Sequence, residues 1–149
     1  MSQRLNIIIS WLLCLIWMAF IFLFSSFTGE TSGKQSGFFV GILQNFLSFF
    51  HVNIDRELLS LLVRKAAHMF EYFVLYLLFL NATGRSLLPR PKLISLFLCF
   101  LYACTDEYHQ SFTPDRGPAL LDVLVDTTGS LAALVLTFFL KKNIDDIHS

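Results

Sequence analysis

The chain alternates long apolar runs with short polar segments, and the lengths of those runs are the first signal. A bilayer hydrocarbon core of about 30 Å needs about 20 apolar helical residues. Four stretches have that character, over about 7–24, 60–80, 93–110 and 119–140. The first is broken only by Ser10. The second carries Arg64, Lys65, His68 and Glu71 in its first half, and the third reaches full length only by continuing through Asp106 to Gln110. The fourth has Asp122 and Asp126 near its start and is free of charge from there to Leu140. A fifth apolar run, residues 38–50, is too short to span and has Gln44, Asn45 and Ser48 along one arc. This predicts a helix lying in the membrane interface. The polar run 25–33, rich in Ser, Thr and Gly, reads as a turn leading into it.

Composition sharpens this picture. Of 149 residues, 55% are hydrophobic and 15% charged, with 17 Phe. Ordinary soluble domains are roughly 25% charged. The expected fold class is therefore all-α, an integral membrane four-helix bundle with an additional interfacial helix, formed by residues 1–149 as one domain. Eleven basic residues balance eleven acidic ones, which excludes the basic footprint of a nucleic-acid binder. Cys14, Cys99 and Cys104 lie within apolar runs without CxxC spacing and read as small buried hydrophobes. The first span is long for a signal-peptide core and no A-x-A site follows Phe24, so an uncleaved helix is expected.

Orientation follows from the short loops. The segment between the second and third spans holds Arg85, Arg90 and Lys92 without an acid, Lys141 and Lys142 follow the last span, and Arg4 precedes the first. If the spans alternate, these fall on one side, which the positive-inside rule makes cytoplasmic. The total is only six basic residues against five, with the short loops deciding it. The expectation is a multi-pass protein of the cell membrane with both termini cytoplasmic and residues 25–55 external.

With that topology the unusual polar residues converge at the external ends: Ser25 and Ser26 after the first span; Arg64, Lys65, His68, Glu71 and Tyr72 opening the second; Asp106, Glu107, His109 and Gln110 closing the third; Arg116, Asp122 and Asp126 at the fourth. At about 100° per residue, Arg64, Lys65, His68, Glu71 and Tyr72 fall within an arc of about 120°. Tyr102, Asp106 and His109 share a second face, and Asp122, Asp126, Gly129 and Ala133 a third. Ionisable groups cost roughly 2.5–3.5 kcal/mol each at mid-membrane, so they face an interior, a cavity or a partner. Asp126 needs a cation or a proton; Arg64 and Lys65 are the expected partners, with Arg116 nearest Asp122. The turn around Pro114, Gly117 and Pro118 holds the last two helices antiparallel and sets Arg116 at the mouth of the site.

Three readings of this cluster remain open. It is an internal salt-bridge network for folding, a site for an anionic headgroup with Arg64, Lys65 and Arg116 as contacts, or a catalytic centre. For the last, His68-x-x-Glu71 and Asp106-x-x-His109 each pair a carboxylate with an imidazole, with His68, Glu71, Asp106, Glu107 and His109 as catalytic candidates. No resident cofactor is expected, although the donors would also accept a divalent metal.

The sequence resembles the VanZ-like family of bacterial membrane proteins. The resemblance rests on Phe24-Ser25-Ser26, on Lys65-Ala66-Ala67-His68-Met69-Phe70-Glu71-Tyr72, on Asp106-Glu107-Tyr108-His109-Gln110-Ser111-Phe112, and on Arg116 with Asp122, Asp126 and Gly129. Phe27-Thr28 departs from the Gln-Pro or similar pair that often follows the serines in that family. The resemblance implies an integral membrane protein of the cell envelope. The family takes its name from a member conferring low-level resistance to the antibiotic teicoplanin, a lipid-tailed glycopeptide that binds cell-wall precursors. The expected partners are membrane lipids and a lipid-linked cell-wall precursor. The sequence carries no signal for the oligomeric state.

Overall fold

The computed structural model describes residues 2–26, 29–112 and 120–147, with side chains throughout except over 29–36 and 141–147. The described chain is all-helical: α1 (Gln3–Ser25), α2 (Gly29–Phe49), α3 (Arg56–Arg85), α4 (Pro91–Gln110) and α5 (Leu120–Ile147). Among the described residues, three stretches are long and apolar enough to cross a membrane, Gln3–Ser25, Arg56–Arg85 and Leu120–Leu140. At 20 residues, or about 30 Å, α4 has the length but not the apolar character, because Asp106, Glu107 and Gln110 turn inward from it.

Local chemistry places the helix ends. Ser2 accepts from the Leu5 amide at the start of α1. Asp55 caps α3 through the amides of Glu57 and Leu58, at 3.0 and 3.1 Å, and Glu57 adds a favourable charge to the first turn. Pro91 opens α4, where its missing N–H is no loss. The α3–α4 connection is short, which forces those two helices antiparallel.

One segment differs from its expected structure. Of the run 25–33 read as a turn, residues 29–33 are helical instead: α2 begins at Gly29 and runs 21 residues. A Gly/Ser/Thr-rich composition lowers local helix propensity, but propensity is a weak prior that context overrides. Among the described residues α2 contacts α3 alone, burying Val40 against it and leaving Phe38, Phe39, Ile42, Phe46 and Phe49 exposed.

Helix α3 is the hub, touching the other four. Contact pairs give the directions. Met18 meets Tyr102 and Ser25 meets Asp106, so α1 and α4 run parallel. Lys65 meets Asp122 and Tyr72 meets Ser130, so α3 and α5 also run parallel. Ser10 meets Asn81 and Trp17 meets Glu71, so the two pairs oppose each other. The C-terminal ends of α1 and α4 therefore share one end of the molecule with the N-terminal ends of α3 and α5.

Packing inverts the logic of a soluble domain. The buried positions of α1, α4 and α5 are largely small or polar: Ser10, Cys14 and Ser25, then Ser95, Cys99 and Ala103, then Ser130 and Ala133. Large apolar side chains such as Leu15, Ile16, Leu23, Phe97, Leu124 and Phe139 face outward. Small residues let backbones approach closely, and an outward apolar surface of this extent needs lipid to cover it. Tyr72, Leu75, Tyr76 and Phe79 of α3 supply the bulk at the centre. Beyond them, at the far end, Arg85 donates to the Asn81 side-chain oxygen (2.9 Å) and the inward polar contacts join neutral groups. The Asn81 amide donates to Ser10 Oγ (3.1 Å), the Trp11 indole to Ser86 Oγ (3.0 Å), and Thr83 and Ser95 share a hydrogen bond (3.0 Å).

Candidate functional site: a buried carboxylate and imidazole cluster

The opposite end is charged. Asp106, on the inner face of α4 and 2% exposed, is its centre. Its Oδ2 accepts from Ser25 Oγ (2.8 Å) and from Gln110 Nε2 (3.0 Å), one turn along its own helix. Its Oδ1 is buried and has no hydrogen-bond partner. Placing a carboxylate here works because α1 ends in a hydroxyl at the same level and because i, i+4 spacing brings the Gln110 amide back over it.

Across from Asp106 stand His68 of α3 and Asp126 of α5, each offering a donor atom within 4.8 Å of the others. His68 Nδ1 lies 3.4 Å from Glu71 Oε2, the i, i+3 relation of one helix face. Asp126 is 5% exposed and Glu107 is also buried. Nearer the helix starts, Lys65 Nζ pairs with Asp122 Oδ1 at 2.6 Å, both half-buried. This corrects the expectation that Lys65 partners Asp126. Because α3 and α5 are parallel and in step, Lys65 is level with Asp122, and Asp126 sits a turn deeper, level with His68. Arg64 is half-buried, its Nε without a hydrogen-bond partner.

Around this centre further contacts hold α1 to α4 and to α3. Ser26 Oγ and His109 Nε2 are 3.1 Å apart, and the His109 ring lies 4.2 Å from that of Phe22. The Tyr102 hydroxyl donates to the Met18 carbonyl (2.6 Å), and the Trp17 indole to the Glu71 carbonyl (2.9 Å). Tyr72 is fully buried, its hydroxyl unpartnered, with Ser130 Oγ donating to its carbonyl at 3.3 Å.

The structure thus brings Ser25, His68, Glu71, Asp106, Gln110 and Asp126 together, sets Ser26 and His109 on the α1–α4 seam, and sets Lys65 and Asp122 above. Arg116 and the turn containing it lie outside the described residues. Trp17 and Ser130 belong to this surround without any marking in the residue pattern. Both act through backbone carbonyls, and a carbonyl acceptor leaves no residue-type signature. Chemically, the arrangement can take a cation or hydrogen-bond donors among its carboxylates and an anion at the Arg64 and Lys65 rim.

A helical membrane protein with small and polar side chains inside, and its acids and imidazole gathered at one end of the bundle, is the class these features define. Its family is the VanZ/LLP1 family, whose model matches residues 10–141, and the chain belongs to it. No curated protein and no solved structure matches the chain.

Proposed function

We propose that this VanZ/LLP1 protein holds the headgroup of an anionic lipid or lipid-linked cell-wall intermediate at the charged end of its bundle, in the outer leaflet, and thereby influences teicoplanin susceptibility. The observation carrying this reading is the division of labour at that end. Arg64 and Lys65 stand at its rim, with Arg116 the expected third cation, while Asp106, Glu107 and Asp126 are buried below. Rim cations suit phosphate oxygens. Buried carboxylates suit the hydroxyl and amine donors of a sugar or headgroup, which leave them satisfied once bound. The short-loop charges support an external position for this end, the side on which teicoplanin and its lipid-linked target meet the membrane.

The test is teicoplanin against vancomycin susceptibility in a deletion strain, complemented with wild type or Glu107→Gln at matched membrane levels. Selective teicoplanin tolerance restored by wild type alone is the expected outcome. Unchanged susceptibility with either version overturns the link to glycopeptides.

A further inference from the structure

We propose that His68, Asp106 and Asp126 form a binding site for a divalent first-row transition metal ion, Zn²⁺ or Mn²⁺. This does not rest on the lipid-binding reading. The three residues come from α3, α4 and α5, far apart in sequence, yet their donor atoms lie within 4.8 Å of one another. The supporting shell is of the kind metal ligands have. One oxygen of Asp106 is held by Ser25 and Gln110, which orients the carboxylate. The other is buried without a partner in a residue only 2% exposed. His68 Nδ1 lies 3.4 Å from the Glu71 carboxylate, near enough for that group to orient the ring if Nε2 takes the metal.

The charge balance points the same way. Two carboxylates this close, Asp106 and Asp126, call for a positive charge. The ion pairs that the described residues form here, Lys65–Asp122 and His68–Glu71, include neither Asp106 nor Asp126. One imidazole with two carboxylates favours Zn²⁺ or Mn²⁺ over Mg²⁺, which takes oxygen ligands and keeps its waters. Three protein donors leave an open coordination position for an exogenous oxygen.

The experiment uses the full chain purified into lipid nanodiscs, stripped with chelator and re-equilibrated with Zn²⁺, Mn²⁺ or Mg²⁺. Metal content is read by mass spectrometry and affinity by calorimetry. About one Zn²⁺ or Mn²⁺ per chain is expected. Asp126→Asn and His68→Gln abolish it, Ser25→Ala weakens it about 10–100-fold, and Asp122→Asn retains it. No stoichiometric ion in the wild type, or wild-type affinity in Asp126→Asn, overturns the site. Should the ligand variants fail to fold, X-ray absorption on the Zn²⁺-loaded wild type decides it. Imidazole scattering with oxygen or nitrogen neighbours at about 2.0–2.2 Å supports the site, and a shell without imidazole overturns it. Loss of teicoplanin tolerance without metal uptake would leave the lipid reading standing alone, and metal uptake without a susceptibility effect would do the reverse.

Discussion

Gly129 of α5 rests on the backbone of Met69 of α3. A Cβ at Gly129 would overlap the Met69 carbonyl oxygen and come 2.8 Å from its carbonyl carbon. Met69 follows His68 directly and Gly129 stands one turn below Asp126, so this contact sets the helix spacing at the level of the polar cluster. Backbone atoms cannot move aside as a side chain can. Gly129→Ala is expected to cost about 1–3 kcal/mol, the usual range for overpacking, read as a lower unfolding temperature in detergent. Gly84→Ala, where nothing lies within 4 Å, serves as the neutral control.

Ser25 and Ser26 are neighbours with opposite expectations. Ser25 is fully buried and donates to Asp106. Ser25→Ala leaves a buried carboxylate oxygen short of a donor, a loss of about 1–3 kcal/mol in the same unfolding measurement. Ser26 is exposed, and Ser26→Ala should stay within about 0.5 kcal/mol of wild type.

The Lys65–Asp122 pair is half-exposed, and solvent-screened pairs of this kind contribute about 0.2–1 kcal/mol. Lys65→Gln should therefore leave the folded protein nearly as stable while removing a rim cation. Stability unchanged with teicoplanin tolerance lost is the expected pairing of results. A large stability loss with tolerance intact would make the pair a folding element.

Asp106→Asn preserves shape but substitutes an amide for the carboxylate that Ser25 and Gln110 both address. Membrane levels comparable to wild type, with loss of complementation, are expected if the cluster binds a ligand. A simple locking network would instead show reduced levels of protein in the membrane.

Sidedness can be read directly. An impermeant maleimide should label Ser26→Cys in intact cells, and Leu87→Cys, at the opposite end, only after permeabilisation. Cys14 and Cys99 are buried, but Cys104 is exposed, contrary to its expected burial, so the labelling is done in a Cys104→Ser background. The reverse pattern would invert the orientation that the short basic loops imply.

Much of the helical architecture was legible because membrane helices announce themselves by length and apolarity. The inward faces were legible too: Asp106, Asp126, Gly129 and Ala133 are all buried, as their spacing along α4 and α5 suggested. Partnership was not. Nothing in one chain of letters sets the register between α3 and α5, and a shift of one turn separates Asp122 from Asp126 as the neighbour of Lys65. The start of α2 was hidden for a different reason, since glycine and hydroxyl residues at 29–37 carry the same signature in a turn as in a helix with tertiary support.

Below the polar cluster, Tyr72, Leu75, Tyr76 and Phe79 fill the middle of the bundle, and the polar contacts resume only at Ser10, Asn81 and Thr83. That aromatic floor makes the charged end a cul-de-sac. Among the described residues, a group entering among the acids and the imidazole meets packed Tyr72, Leu75, Tyr76 and Phe79 before it reaches the far end.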